Sequence, residues 1–477
     1  MKAPAARTGG RAKWLTLAAI SLGYGVVQLD VTIVNVAIAS IGQSIGGGVA
    51  ELQWVVSAYT IAFAALILTA GALGDRIGAK RLFMAGFALF TLASLACALA
   101  PGLGILIAAR AVQGLAAAIL VPNSLALLNH AYPGDKERAH AVGIWAAGAS
   151  LALTAGPLVG GGLIAVAGWR SIFLVNVPLG VAALWLTWHY AQETEGSPER
   201  KLDLPGQTTA ILALGCLAGA MIEGGKRGFT DGYVLAGFVA FAITAAAFLW
   251  IERKADQPML PLALFRQSRF STSALIGLLI NIAFYGLIFL ISLYLQQANG
   301  WSPLWTGLAF APMTAAVFVP NLLAAHIANR IGSGITIAIG ALVGAASCFA
   351  LLRIDQGTGY GAMVIQFIAL GAGLGLLVPP LTSTLLGSVE KSRSGVASGV
   401  LNAMRQTGSV IGVALYGALA GSLGLIAGLK MSLVISAGLL AVSAAAATIG
   451  VSATQRELRS GARRLKSGHH GLAARSK

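Results

Sequence analysis

The chain has 477 residues, of which 57% are hydrophobic and only 10% are charged, and its formal net charge is +16 at pH 7. Soluble domains usually carry about 25% charged residues, so the composition excludes an ordinary soluble protein. The apolar residues fall in runs of roughly 20, which is the length that a membrane-spanning helix needs. We therefore predict an all-α polytopic membrane protein.

Fourteen apolar segments follow one another along the chain. They cover residues 14–39, 52–73, 82–100, 103–128, 140–166, 169–190, 206–225, 232–251, 270–297, 303–329, 333–352, 360–386, 395–421 and 428–450. Polar segments precede the seventh span and follow the eighth. This order predicts an N-terminal six-helix bundle in 1–191, linker segments with two extra membrane helices in 192–269, a C-terminal six-helix bundle in 270–451 and a basic cytoplasmic tail in 452–477.

An internal repeat supports two related bundles. Leu73–Gly78 reads LGDRIG after the second segment, and Ile327–Gly332 reads IANRIG after the tenth. A Val-Pro pair at Val121 in the fourth segment recurs at Val378 in the twelfth. Repeated bundles around a central site are typical of alternating-access transporters.

The basic residues are unevenly distributed over the predicted topology. Most of the 32 lysines and arginines, including those of both tails, fall on one side of a fourteen-span chain. By the positive-inside rule both termini are cytoplasmic. The net charge therefore reflects membrane orientation, and we expect the lipid bilayer, not nucleic acid, as the large partner of what we take to be a monomer.

One carboxylate, Asp30, lies deep in the first apolar segment, within the stretch LDVTIVNVA. An ionised side chain at that depth costs roughly 2.5–3.5 kcal/mol on insertion scales, so it needs a partner, water or a proton. At about 1.5 Å per residue, Asp30 and Arg110 of the fourth segment both fall in the outer half of the membrane. We expect them to form a pair that protonation makes and breaks; a permanent buried ion pair is the alternative.

The loop after the second segment carries a recognisable pattern, Gly71-Ala-Leu-Gly-Asp-Arg-Ile-Gly-Ala-Lys-Arg81. It resembles the loop signature of the major facilitator superfamily, which implies a cytoplasmic ion-pair latch between the two bundles. The residues at the matching positions are Gly71, Gly74, Asp75, Arg76, Gly78, Lys80 and Arg81. The repeat copy has Asn329 in place of Asp75, so its latch would be weaker.

The fifth segment resembles the antiporter signature of exporting members of that superfamily. The pattern comprises Gly143, Gly156, Pro157, Gly160 and Gly161, with Ala152 where the family usually has glycine. Proline bends a helix, and glycines let a neighbouring helix approach closely. The resemblance to this signature, which is rare in importers, implies export.

Three further stretches extend the resemblance over nearly the whole chain: LDVTIVNVA, Trp169–Pro178 and Gly395–Gly408. Together they are similar to the fourteen-span drug:proton antiporters, a group that includes methylenomycin A resistance and multidrug efflux transporters. The resemblance implies the major facilitator fold, with two six-helix bundles and two inserted helices.

Several polar residues in apolar segments are weaker candidates. Glu223 could be a second proton-coupling group, or it could pair with Lys226 or Arg227 at the surface. Arg405 could face the cavity or bind helix carbonyls. Residues that could line a substrate cavity, or hold helices together instead, are Asn35, Gln113, Asn281 and Tyr285.

These features predict a proton-coupled exporter of drugs or other amphiphilic small molecules, located in the cell membrane. The alternative is a dedicated exporter of one metabolite or antibiotic, for example an anion drawn by Arg110 and Arg405. We expect no enzyme activity, no metal and no cofactor other than the proton gradient, because the histidines and cysteines show no ligand spacing and no GxxxxGK[ST] loop occurs.

Overall fold

The described part of the chain folds into long α-helices. The structure is a computed structural model, and it describes residues 10–194, 196, 203–390 and 394–451. The predicted basic tail at 452–477 lies outside the described residues. We number the long helices α1 (Gly10–Ile45), α2 (Val49–Ile77), α3 (Ala79–Ala98), α4 (Leu103–Ala131), α5 (Asp135–Ala167), α6 (Ser171–Tyr190), α7 (Leu204–Arg227), α8 (Gly232–Lys254), α9 (Ser268–Ala298), α10 (Pro303–Ile331), α11 (Ser333–Arg353), α12 (Gly361–Leu386), α13 (Ser394–Leu423) and α14 (Leu425–Val451).

The helical membrane fold is confirmed, but the count of fourteen spans is not. Within the described residues, 12 helices are long and apolar enough to cross a membrane, or up to 13 if α5, which is bent by 44°, is one span. The helix outside this count is α13, although it has 30 residues. Polar side chains at Asn402, Arg405 and Gln406 interrupt its apolar run and lower its hydropathy.

The helix packing repeats along the chain. In the first half α1 packs on α5, α2 on α4, and α3 on α4 and α6; in the second half α9 packs on α13, α10 on α12, and α11 on α12 and α14. The halves meet through α2 against α13 and α5 against α10, which are corresponding pairs. The exact boundaries of the bundles stay a prediction.

The helices α7 and α8 form a pair beside this arrangement. They pack on each other, and α7 also lies against α2 and α13. Gln207 of α7 donates a hydrogen bond to the Ala65 carbonyl of α2 at 2.9 Å, and Lys226 pairs with Glu51 at 2.6 Å. The inserted pair therefore contacts both α2 of the first half and α13 of the second half, where these two helices meet.

Two hydrogen-bonded contacts join the halves at the end of the helices farther from Gly10, here called the far end. Ser292 of α9 donates to the Asn35 carbonyl of α1 at 2.8 Å. Gln53 of α2 donates to the Val413 carbonyl of α13 at 2.8 Å. The backbones of α5 and α10 also approach closely there, since a Cβ on Gly161 would lie 2.6 Å from the Pro303 carbonyl oxygen.

Candidate functional site

Asp30 of α1 and Arg110 of α4 form an ion pair between the two helices. The Arg110 Nη1 donates a hydrogen bond to the Asp30 Oδ2. The Arg110 side chain is 1% exposed and the Asp30 side chain 0%. Because both charges have left water, the pair is stable only if their other polar atoms also find partners.

The surrounding polar groups supply those partners. Gln113 donates to the Asp30 Oδ1 at 2.9 Å and accepts from Arg110 Nη1 at 2.7 Å. Asn176 of α6 donates to the same Asp30 oxygen at 3.2 Å, while the Arg110 Nε donates to the Val55 carbonyl of α2 at 3.0 Å. Four helices thus hold one buried charge pair.

Three members of this cluster were not among the site residues predicted from the sequence. Ser94 of α3 accepts hydrogen bonds from Gln113 and Asn176, and the Tyr59 ring lies 4.3 Å from the Arg110 guanidinium carbon. Asn176 directly follows the break in α6 at Val175. A polar residue at a helix break inside a membrane segment was the available signal for Asn176; Ser94 and Tyr59 gave none.

A central cavity of about 100 Å³ lies between the halves. It is lined by residues of α1, α5, α9, α10, α12 and α13, and three of the predicted cavity residues, Asn281, Tyr285 and Arg405, are among them. Thr32, which also lines the cavity, lies on α1 two residues after Asp30. The cavity is therefore adjacent to the ion-pair cluster.

Two other residues predicted for the cavity lie elsewhere. Gln113 belongs to the Asp30 cluster. The Asn35 side chain donates to the Val31 carbonyl of its own helix at 3.0 Å, and neither residue is among those that line the central cavity. Asn35 takes part in the contact between halves through its backbone, which side-chain polarity does not indicate.

A side chain of α1 binds the backbone of α5 at its bend. Pro157 has no N–H to donate to the Leu153 carbonyl, four residues earlier, so that carbonyl loses its helical partner. The Thr32 Oγ1 of α1 donates to this carbonyl at 2.9 Å. The proline of the antiporter signature and the stretch around Asp30 are therefore joined by one hydrogen bond.

Close contact explains most glycines of the antiporter signature. A Cβ on Gly156 would overlap the Thr32 side chain, and one on Gly160 would lie 2.7 Å from Ile33, both on α1. Gly161 meets α10 instead. Gly143 has no neighbouring atom within 4 Å, so its surroundings do not require glycine.

The loop between α2 and α3 is shaped by Gly78, whose φ is +98°, and Gly74 packs directly on Asn123 of α4. Lys80 donates to the Ala191 carbonyl at 2.7 Å, and exposed Arg81 pairs with Glu193 at 3.2 Å.

Ala191 and Glu193 both follow α6, so the contacts of Lys80 and Arg81 connect residues of the same half. Gly71 and Asp75 line a second cavity, of about 260 Å³, together with Gly399 and Asn402 of α13, whereas Arg76 is exposed. A latch that joins the two halves stays a prediction.

Glu223 lies near the end of α7 and pairs with Arg227 at 2.8 Å. The Glu223 side chain is 39% exposed. This is the surface pair that the sequence left open as the alternative, and a role for Glu223 in proton coupling stays a prediction.

Many apolar helices, a repeated packing pattern and a buried ion pair beside a central cavity define a multi-pass membrane protein. The sequence profile of the Major Facilitator Superfamily matches residues 20–413. The chain belongs to this superfamily and is a membrane transporter.

Named relatives cover most of the chain. The multidrug resistance protein Stp of Mycobacterium tuberculosis is 39% identical over 408 residues, which are 85% of this chain and 76% of that protein. The methylenomycin A resistance protein of Streptomyces coelicolor is 39% identical over 402 residues, covering 84% of each.

A solved structure shares the fold. The crystal structure of a bacterial homologue of the human lysosomal transporter Spinster superposes with a TM-score of 0.65 at 17% identity, covering 93% of this chain and 98% of that one. At this identity the likeness concerns the fold alone.

Proposed function

We propose that the protein exports drugs or other amphiphilic small molecules across the cell membrane in exchange for protons. The names of the relatives support drug export. The observation that carries the proton step is the fully buried Asp30–Arg110 pair beside the central cavity. A carboxylate held there is the chemical group best suited to bind and release a proton during transport.

Protonation of Asp30 removes the negative charge that Arg110 faces. Breaking a buried ion pair costs about 3–5 kcal/mol when one charge is left uncompensated. Arg110 retains the Val55 carbonyl, Gln113 and the face of Tyr59. A different arrangement of α1 and α4 is then favoured, because the proton changes the relative stability of two conformations.

Substrate and proton compete for the same transporter. Substrate in the central cavity favours the arrangement of α1 and α4 in which Arg110 pairs with ionised Asp30, and a proton favours the other arrangement. Such reciprocal coupling is sufficient for exchange. The hydrogen bonds at Asn35 and Gln53 hold the far end of the two halves together; with cytoplasmic termini, which the charge bias favours, this end faces outward.

Proton dependence is tested by transport into inverted membrane vesicles under an imposed pH gradient. We expect wild type and Asp30→Glu to accumulate a fluorescent drug when the gradient is applied, and Asp30→Asn to lose at least tenfold in rate. Glu137→Gln is the matched control, because Glu137 is 63% exposed and pairs only with Lys13 in the part of the chain that is described. Undiminished gradient-driven transport by Asp30→Asn would contradict the proposal.

A dedicated exporter of one metabolite is the second candidate, and the single charged group in the lining of the central cavity, Arg405, favours it. A panel of chemically diverse drugs separates the two. Accumulation of several unrelated compounds supports multidrug export, while transport of one compound alone supports the dedicated exporter.

A further inference from the structure

The central cavity has one charged group among the residues that line it, the guanidinium of Arg405. The rest of its wall is apolar or neutral. Phe284, Ile288 and Leu374 provide hydrocarbon surface, and Asn321 and Tyr285 provide polar groups. Asp30 and Arg110 are outside this lining and neutralise each other. The cavity therefore carries a net positive charge.

Arg405 has no counter-ion in the described part of the chain. No carboxylate within those residues pairs with it, and its side chain makes no hydrogen bond to them. Its aliphatic stem lies against Gly277 of α9, where a Cβ would be 3.9 Å from the Arg405 Cγ. Arg110, by contrast, has partners on its Nε and Nη1 atoms. The N–H groups of Arg405 are therefore available to bind a ligand.

Two neighbouring side chains also have unused hydrogen-bonding groups. Among the described residues, neither Asn321 nor the Tyr285 hydroxyl forms a side-chain hydrogen bond. Both side chains line the same cavity as Arg405. An arginine fork with nearby neutral donors suits a carboxylate, which accepts two parallel N–H bonds.

The positive cavity also disfavours the opposite ligand. A cation that entered would face Arg405 across a few ångströms of low-dielectric space, with no acidic residue of the lining to offset the repulsion. An organic anion would gain the attraction and bury its apolar part against Phe284 and Leu374.

We propose that Arg405 is the anion-binding group of the central cavity, and that the substrates are amphiphilic organic acids carrying a carboxylate or a similarly charged oxygen. This inference rests on the proposed export function, because it names the class of compound exported. Asn321 and Tyr285 position the anionic oxygens, and the apolar wall binds the rest of the molecule.

The test measures binding to the purified full-length protein, so it does not depend on transport. The probes are phenylacetic acid, its methyl ester and the benzyltrimethylammonium cation, which share a single aromatic ring as their apolar body and suit a small cavity. We expect wild type to bind the acid at least tenfold more tightly than the ester, and the cation most weakly.

Variants then assign the preference to Arg405. Arg405→Gln should lose the preference for the acid with little change for the ester, and Arg405→Lys should retain most of it. Arg253→Gln, at an exposed arginine of α8, is the control and should match wild type. Equal binding of acid and ester by wild type, tighter binding of the cation, or an unchanged preference in Arg405→Gln would each overturn the inference.

These outcomes separate the inference from the export proposal. Binding of the acid without any accumulation in vesicles contradicts export and leaves the anion site standing. Accumulation of cationic drugs without binding of the acid contradicts the anion site and leaves export standing. Should Arg405→Gln not fold, the order of the three probes on wild type still decides.

Discussion

At the scale of single residues, the most demanding feature is a charge pair that is removed from water and yet almost fully bonded. Asp30 receives hydrogen bonds from Arg110, Gln113 and Asn176. Such a cluster is rigid while Asp30 and Arg110 are both ionised. It is destabilised when Asp30 takes up a proton or when one side chain is replaced. Protonation of Asp30 therefore has a large effect on the stability of this cluster.

Removing the guanidinium should be more harmful than removing the whole pair. Arg110→Gln leaves Asp30 without its counter-ion, and we expect about 3–5 kcal/mol of lost stability, by the usual cost of an orphaned buried charge. The double variant Asp30→Asn/Arg110→Gln should recover part of that loss. Thermal unfolding of the purified proteins in detergent gives the comparison, and a double variant less stable than Arg110→Gln would contradict this reading of the site.

Sequence alone could predict the Asp30–Arg110 encounter, because depth in the membrane follows from helix rise. It could not predict that Gln113 belongs to that pair and not to the cavity. Gln113 follows Arg110 by three residues, so the two side chains lie near each other on α4, but this spacing does not determine which groups Gln113 bonds. Nor could it distinguish a surface pair from a buried proton site for Glu223. Nor could it decide whether Arg405 lines the cavity or binds helix carbonyls, since this depends on how α13 packs against α9.

At the scale of helices, α1 and α5 act as one unit. Glycines of α5 allow α1 to approach, and Thr32 of α1 satisfies the Leu153 carbonyl that Pro157 leaves free. The apolar runs predicted the helices within a few residues. They could not indicate this bond, because it joins residues more than a hundred positions apart.

The Thr32 bond can be isolated by a double-mutant cycle. Thr32→Val keeps the shape of the side chain but removes the donor, so we expect a loss of about 0.5–1.5 kcal/mol in a background that contains Pro157. In Pro157→Ala the alanine N–H can serve the Leu153 carbonyl, and the effect of Thr32→Val should shrink. Unfolding curves of the four proteins measure the coupling. Equal effects of Thr32→Val in both backgrounds would show that the hydroxyl does not compensate for the proline.

At the scale of the whole molecule, the two halves are held together at the far end around a small cavity. Alternating access requires these contacts to open. The contact between α2 and α13 offers a direct test, since a Cβ on Gly417 would lie 2.8 Å from the Gln53 Cγ. A cysteine at position 53 would place its sulfur close to the present position of the Gln53 Cγ, within reach of a cysteine at 417.

Locking this contact should stop transport reversibly. In a background with Cys97, Cys216 and Cys348 replaced by alanine, we expect oxidised Gln53→Cys/Gly417→Cys to lose at least tenfold in vesicle transport and to regain it on reduction. Each single cysteine variant, treated with the same oxidant, is the control. Full activity of the cross-linked protein would mean that the far end does not separate during transport.

The central claim, that substrate and proton compete through Asp30, is tested most directly by counting protons on the purified protein. Substrate is added to wild type and to Asp30→Asn in weakly buffered solution, and the pH change is recorded beside a parallel binding measurement. We expect wild type to release protons as it binds substrate and Asp30→Asn to bind without release. Equal proton release from both proteins, or binding by wild type with no release across the pH range in which transport occurs, would contradict coupling through Asp30.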